Sequence, residues 1–174
     1  MAERSYERLN RPDLRRLADF AAHDLDDRLR RHPRWEPYRT RVICVALCQG
    51  AALHYVDKAT GVKDFDLWTF LDEIPGKPFP PRWRTTADFG VSRFGRRESE
   101  EHGTYVGRRI DFIGRSLRVE PSVELEPRTV LREYLTARKT KSARCLAEKA
   151  VVLLAPSDVL GEVIWPIKTK MRQA

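Results

Sequence analysis

The chain has 174 residues, 41% of them hydrophobic, which is enough for one sizeable core and too few for two. No run approaches the roughly 18 consecutive apolar residues of a membrane-spanning helix, and the charged residues 1–8 lack the apolar core of a signal peptide. We therefore expect a single domain over residues 1–174, soluble and cytoplasmic, with no membrane partner. The net charge of +8 favours an anionic partner, and nucleotides, nucleic acids and acidic proteins all qualify.

The three cysteines, Cys44, Cys48 and Cys145, form an odd and sparse set that suits a reducing compartment. Cys44 and Cys48 lie four residues apart in an apolar segment and share a face. Because no His or Cys pair lies near them in the sequence, core packing is favoured over a zinc site.

Hydrophobic periodicity predicts the elements of the N-terminal half. A stripe of Leu and Ala at helical spacing predicts an amphipathic helix over residues 12–31, capped near Asn10 and ended by Pro33. The apolar run 41–48 predicts a strand buried on both faces, followed by a short helix over residues 51–56. Alternation over residues 62–70 predicts a second strand, and the proline-rich residues 72–84 predict an irregular connection that packs onto the protein.

The C-terminal half is predicted to contain strands over residues 85–94 and 105–117, separated by a mobile charged loop at 96–103. An extended link over 119–127 leads to helices over residues 128–137 and 141–154 and a short apolar segment at 163–165. The tail from residue 168 is expected to be disordered. The predicted fold class is therefore α/β, more closely α+β, because the sheet is mixed. It has a small mixed sheet carrying an acidic site, flanked by the N-terminal amphipathic helix and by a C-terminal helical part over 128–167.

Three aspartates carry the strongest chemical signal. Asp64 and Asp66 lie two residues apart in a predicted strand, so their side chains project from the same face and repel each other. Asp111 lies in the middle of an apolar strand with Arg109 on its own face, where an unpaired charge would be costly to bury. One divalent cation shared by the three carboxylates removes both penalties. The alternatives are a solvated strand face for Asp64 and Asp66, and a structural pair with Arg109 for Asp111.

The turn at Gln49-Gly50-Ala51 ends a buried strand and opens a helix. A small residue there lets backbone N–H groups approach a phosphate, and the helix dipole favours negative charge. Four basic residues bracket the carboxylates and are candidate phosphate contacts, with a solvated or salt-bridging role as the alternative for each: Lys63, Arg108, Arg109 and Arg115. His54 follows the turn by four residues, and we expect it to pack in the protein.

In this order, the residues resemble the polymerase-β-like nucleotidyltransferase superfamily. The matching motifs, all within residues 12–113, are Leu47-Cys48-Gln49-Gly50-Ala51, Asp64-Phe65-Asp66-Leu67 and Arg109-Ile110-Asp111-Phe112. The resemblance implies that the three aspartates bind Mg²⁺ or Mn²⁺ around a nucleoside triphosphate such as ATP. A nucleoside monophosphate would then pass to an acceptor hydroxyl with release of pyrophosphate. Two departures are that Ala51 stands where the family usually has Ser or Gly, and that the proline-rich segment replaces what is often a helix.

Three functions remain open at this stage. The first is a metal-dependent nucleotidyltransferase acting on RNA, a protein or a small molecule. The second is a catalytically silent module of the same fold that binds nucleic acid or a protein through basic C-terminal helices. The basic residues concerned are Arg128, Arg132, Arg138, Lys139, Lys141, Arg144 and Lys149. A charged solvent face is the favoured alternative for them, because Glu133 and Glu148 interrupt the run. The third is a metal-dependent nuclease, which needs a lysine beside the carboxylates, and Lys63 is expected on the opposite strand face from Asp64.

Overall fold

The computed structural model describes residues 6–80, 84–95, 108–121 and 124–167. The helices are α1 (Arg11–Arg31), α2 (Gln49–Asp57), α3 (Pro127–Ala137) and α4 (Lys141–Leu146). The strands are β1 (Val42–Cys48), β2 (Phe65–Asp72), β3 (Arg84–Asp88), β4 (Arg109–Leu117), β5 (Val151–Ala155) and β6 (Val163–Trp165). Two short 3₁₀ segments cover Pro33–Tyr38 and Ser157–Val159.

The strands form one six-stranded mixed sheet in the order β3-β4-β2-β1-β5-β6. Strands β2 and β4 pair in parallel, and every other neighbouring pair is antiparallel. Helices α1 and α2 cover one face of the sheet and form a core with it, while α3 and α4 form a second core on the opposite face. The predicted mixed sheet flanked by an N-terminal helix and C-terminal helices is therefore confirmed.

Helix α1 begins one residue earlier than predicted and ends where predicted. Asn10 and Asp13 form a reciprocal capping box, in which each side chain accepts the other's backbone N–H at 2.9 and 3.0 Å. Near its C-terminal end, buried Arg28 pairs with Asp24 at 3.0 Å. Burial lowers the pKa of Arg28 to about 10, although Asp24 acts in the opposite direction. This leaves the guanidinium charged at neutral pH.

The proline-rich connection packs onto the sheet as predicted, through Phe79. Its ring is buried and lies 5.2 Å from the ring of Tyr38 and 5.6 Å from that of Trp35. It also closes on Gly114 of β4, where an added Cβ atom would lie 2.5 Å from the Phe79 ring. Trp83, the charged loop at 96–103, residues 105–107 and the tail from 168 lie outside the described residues. Within the described ranges, no helix is long and apolar enough to cross a membrane.

The predicted helix over residues 141–154 is wrong in its second half. Helix α4 ends at Leu146, and residues 151–155 form β5 between β1 and β6. The reason is that Val151, Val152, Leu153 and Leu154 alternate between the two cores and are all buried. Such a run is typical of a strand covered on both faces, and this tertiary environment overrides the helix preference of leucine. The part over 128–167 is therefore two helices and two strands.

Two predicted strand boundaries are also corrected. Strand β2 begins at Phe65 instead of residue 62, because the preceding segment pairs with loops outside the ladder. There, Val62 donates its N–H to the Phe94 carbonyl at 2.9 Å, and the buried guanidinium of Arg108 donates to the Lys63 carbonyl at 3.1 Å.

The strand predicted over residues 85–94 ends at Asp88. Its side chain accepts the N–H of Gly90 at 2.8 Å, and Gly90 has a φ of +97°. This left-handed backbone turns the chain, which brings Phe89 and Phe94 into the core.

Candidate functional site

The parallel pairing of β2 and β4 brings Asp66 and Asp111 side by side. They are register partners in the ladder, so their side chains leave the same face of the sheet from strands about 4.8 Å apart. On the other side of β2, Asp66 is the register partner of Cys48, the last residue of β1. The acidic site therefore lies where β1 ends and β2 and β4 begin, on the face that α3 and α4 cover further along.

Arg109 is the cation next to these carboxylates. Its Nη2 lies 3.2 Å from Oδ2 of Asp64 and 3.1 Å from Oδ2 of Asp111, and its Nε donates to the same Asp111 oxygen at 3.2 Å. The expectation that Arg109 and Asp111 share a face is confirmed. Asp64 precedes β2 instead of lying within it and contacts the site through Arg109. Because one guanidinium contacts two carboxylates, Asp64 and Asp111 together keep a net negative charge.

The burial of Asp111 explains why a cation is needed there. Asp111 is 9% exposed, and leaving an unpaired carboxylate in that position would be costly. The sequence argument identified this penalty correctly. In this structure, the positive charge next to Asp111 is supplied by Arg109.

The first turn of α2 lies next to the acidic site, one strand away from Asp66. Its N-cap residue, Cys48, provides no side-chain hydrogen bond to the turn, and a Cβ atom added at Gly50 would meet no other atom within 4 Å. Ala51 points into the core on the other side of the sheet. A hydroxyl at that position would therefore not face Asp66.

Sequence reasoning assigned no role to Gln49 or Cys145. Gln49 has a φ of +60°, a left-handed conformation that is uncommon for a residue other than glycine and that occurs preferentially at functional sites. Its Nε2 lies 3.2 Å from Sγ of the exposed Cys145, which links the start of α2 to α4. No spacing rule connects residues that are 96 positions apart, so only the fold reveals this contact.

Two other candidates are placed by the structure. Lys63 is exposed beside Asp64, outside the strand. His54 is buried, with Nδ1 accepting the N–H of Gly61 at 3.2 Å and Nε2 lying 2.9 Å from the Glu7 carbonyl. Its predicted packing role is confirmed.

The cysteines of β1 are core residues, as expected. Both are buried in the core beneath α3 and α4. Burial raises the pKa of the Cys44 thiol to about 12. Burial and the neighbouring Asp66 carboxylate also raise the pKa of Cys48. Both thiols are thus buried apolar groups, in agreement with the expected core packing.

The donor chemistry of the acidic site suits a hard cation, because Mg²⁺ and Mn²⁺ prefer carboxylate oxygens. In the described part of the chain, however, no group of three or more His, Cys, Asp or Glu side chains is arranged to hold a metal ion. Arg109 bridges Asp64 and Asp111, so a metal bound between those two carboxylates would have to displace the guanidinium.

No protein-family profile, curated protein or solved structure matches this chain. Arguments about its function therefore depend on its own residues and on where the fold places them.

Proposed function

We propose that the protein is a metal-dependent nucleotidyltransferase, which transfers a nucleoside monophosphate from a nucleoside triphosphate to an acceptor hydroxyl and releases pyrophosphate. The observation that supports this proposal is the position of Asp66 and Asp111. They are neighbours on parallel strands, one strand away from the first turn of α2, which has no side-chain cap. Carboxylates supply oxygen ligands for a divalent cation, and a helix N-terminus supplies donors for phosphate oxygens.

Each residue has a distinct role in this proposal. Asp66 and Asp111, with help from Asp64, would hold a Mg²⁺ or Mn²⁺ ion, which would supply charge neutralisation for phosphoryl transfer. The backbone around Gly50 contacts the phosphates. Asp111 accepts the proton of the acceptor hydroxyl. If Asp64 and Asp111 bound a metal ion, Arg109 would leave these carboxylates and contact a phosphate oxygen instead.

The first test is nucleotidyl transfer by an Asp111→Asn variant. Incubation of the protein with each labelled nucleoside triphosphate, Mg²⁺ or Mn²⁺ and a cell extract identifies the nucleotide and the acceptor. Asp111→Asn should lower the transfer rate by about 10²- to 10⁴-fold, because an amide is a poor Mg²⁺ ligand and a poor proton acceptor. Asp158→Asn, at an exposed position on the 3₁₀ segment before β6, is the matched control and should keep full activity. A folded Asp111→Asn protein with unchanged activity would exclude the proposal.

The second test is triphosphate binding by a Gly50→Val variant, measured by calorimetry. The fold should tolerate this change, since a Cβ at Gly50 meets nothing within 4 Å. A β-branched side chain there would nevertheless block the approach of a phosphate to the backbone. We expect triphosphate affinity to fall at least tenfold while Mn²⁺ affinity stays within twofold of wild type. Equal losses of both affinities would contradict the assigned role of Gly50.

A catalytically silent module that binds nucleic acid is the second candidate, and two observations favour it. Arg109 already supplies positive charge to the acidic site, so the fold does not need a metal ion there. The surface of α3, α4 and their flanking turns carries exposed basic side chains that form no ion pair with described residues. They are Arg132, Arg138, Lys139, Lys141, Arg144 and Lys149. This candidate requires RNA binding without metal and no consumption of triphosphate by the purified protein in the transfer experiment.

A further inference from the structure

A cavity of about 640 Å³ lies between the C-terminal half of β4, the segment that follows β4, and helix α3. Its lining includes Arg115, Arg118, Glu120, Glu133, Tyr134 and Lys139. Arg115 follows Asp111 by four residues on the same strand face, which separates the two by about 13 Å. The cavity is therefore distinct from the acidic site, although both open on the same side of the sheet.

Arg115 is a partly buried cation that has no acidic partner among the described residues. Its Nη1 donates to Oγ of Ser142 at 3.1 Å, but its Nε is buried and has no hydrogen-bond acceptor among the described residues. No described carboxylate forms an ion pair with it. By contrast, the neighbouring Arg118 pairs with Glu73 at 3.2 Å. Burying a guanidinium with an unsatisfied donor and no counter-ion costs free energy, and an anion entering the cavity would recover it.

The other polar groups of the cavity limit which ligands fit. Lys139 lies at the exposed end of α3 and forms no ion pair with the described residues, so it provides a second cation. Three carboxylates, those of Glu73, Glu120 and Glu133, also line the cavity and would repel a ligand that is anionic throughout. They can accept hydrogen bonds from hydroxyl or amino groups. The lining therefore suits a small polar molecule with one anionic end.

We propose that this cavity binds a small molecule carrying a phosphate or carboxylate group, with Arg115 as the anion-binding residue. Planar guanidinium groups bind both anions through paired N–H donors, and Arg115 lines the cavity with a guanidinium whose Nε has no acceptor among the described residues. This site requires neither the metal ion nor the triphosphate of the proposed transferase reaction.

The test is a titration of the full chain with inorganic phosphate and, separately, with acetate, observed by NMR at the arginine Nε–H signals. The Arg115 signal is assigned by its loss in Arg115→Lys. We expect a saturable shift of that signal with at least one anion, at a dissociation constant in the millimolar range. The anion that shifts it more strongly identifies the ligand class. In the variants, affinity is followed by the backbone amide signals of residues that line the cavity; it should fall at least tenfold in Arg115→Met, while Arg15→Met, on the exposed face of α1, should match wild type.

Two results would overturn the proposal. One is the absence of a saturable Arg115 shift with both anions, which the wild-type protein alone can reveal even if Arg115→Met fails to fold. The other is a tenfold loss of anion affinity in Gly50→Val with none in Arg115→Met. That pattern would assign the anion to the start of α2. Failure of the transferase proposal leaves the Arg115 result unaffected, because no nucleotide or metal is present in this titration.

Discussion

At the scale of single residues, Arg109 is the cation that neutralises part of the negative charge of the acidic site. The repulsion between neighbouring aspartates predicts a cation beside them. The repulsion alone does not indicate whether that cation is a metal ion or a side chain. Arg109 supplies such a cation from within the same chain by contacting Asp64 and Asp111. A site in which a guanidinium and a metal ion compete for the same carboxylates would behave differently with and without metal.

Replacing Arg109 with methionine tests this competition. The metal-free variant should lose about 1–2 kcal/mol of unfolding free energy, because Asp64 and Asp111 would face each other partly buried and without their cation. Added Mg²⁺ or Mn²⁺ should then raise its melting temperature more than that of wild type, since ligands that bind only the native state stabilise it by mass action. Denaturant unfolding and thermal melts, each with and without metal, measure both effects.

Arg30→Met is the matched control for this experiment. Arg30 also bridges two carboxylates, those of Asp26 and Asp27, but on the surface of α1. Its loss should cost no more than about 0.5 kcal/mol, and Mg²⁺ should not change the result. An Arg109→Met protein that is destabilised, and whose melting temperature does not change with divalent cations, would indicate a structural salt bridge. That result would remove the metal from the proposed function.

At the scale of elements, the sequence predicts what local periodicity encodes and misses what tertiary burial decides. Helix α1 was predicted almost to the residue, because its cap and its apolar stripe are both local features. Strand β5 was mistaken for helix, since a short apolar run fits either structure until the two flanking strands are known. The late start of β2 was equally invisible, because it depends on contacts with Phe94 and Arg108, more than 30 residues away.

Gly114 illustrates such a long-range dependence, and Gly114→Ala tests it. The added methyl would lie 2.5 Å from the ring of Phe79, which cannot move freely because Tyr38 and Trp35 hold it. We expect a loss of about 1–3 kcal/mol of unfolding free energy from this overpacking, measured by urea denaturation. Gly50→Ala is the control, and it should be neutral or slightly stabilising, since its Cβ meets nothing within 4 Å. Equal stabilities of the two variants would contradict the packing described for Phe79.

At the scale of the whole molecule, the fold places the aspartates and the basic helices on one side of the sheet. Spacing within the sequence indicated that Asp66 and Asp111 belong together, and their register partnership agrees with it. Spacing could not indicate that α4 approaches the start of α2, or that α3 and α4 cover the same face as the acids. A polyanion bound along these helices would therefore lie on the face of the sheet that carries the proposed reaction site.

The dependence of RNA affinity on salt tests whether this surface binds nucleic acid. For single strands, the logarithm of the binding constant falls with the logarithm of salt concentration by about 0.7 for each phosphate contacted. The triple variant Arg132→Gln, Lys141→Gln, Lys149→Gln removes three exposed charges of α3, α4 and the turn that follows. If each of these side chains contacts a phosphate, the magnitude of this slope should fall by about 2. At low salt, the triple variant should also bind RNA more weakly than the wild-type protein does.

The matched control for the RNA experiment changes the same number of charges on the opposite side of the sheet. In the variant Arg8→Gln, Arg15→Gln, Arg31→Gln, all three positions are exposed on or beside α1, so the net charge falls equally. Fluorescence anisotropy with a labelled single strand, repeated over a range of salt concentrations, gives the slope for each protein. A selective loss of slope in the α3–α4 variant means that phosphates contact those helices directly. Equal losses of slope in both variants would mean that RNA affinity depends only on the overall positive charge. The α3–α4 surface would then not be a nucleic-acid site.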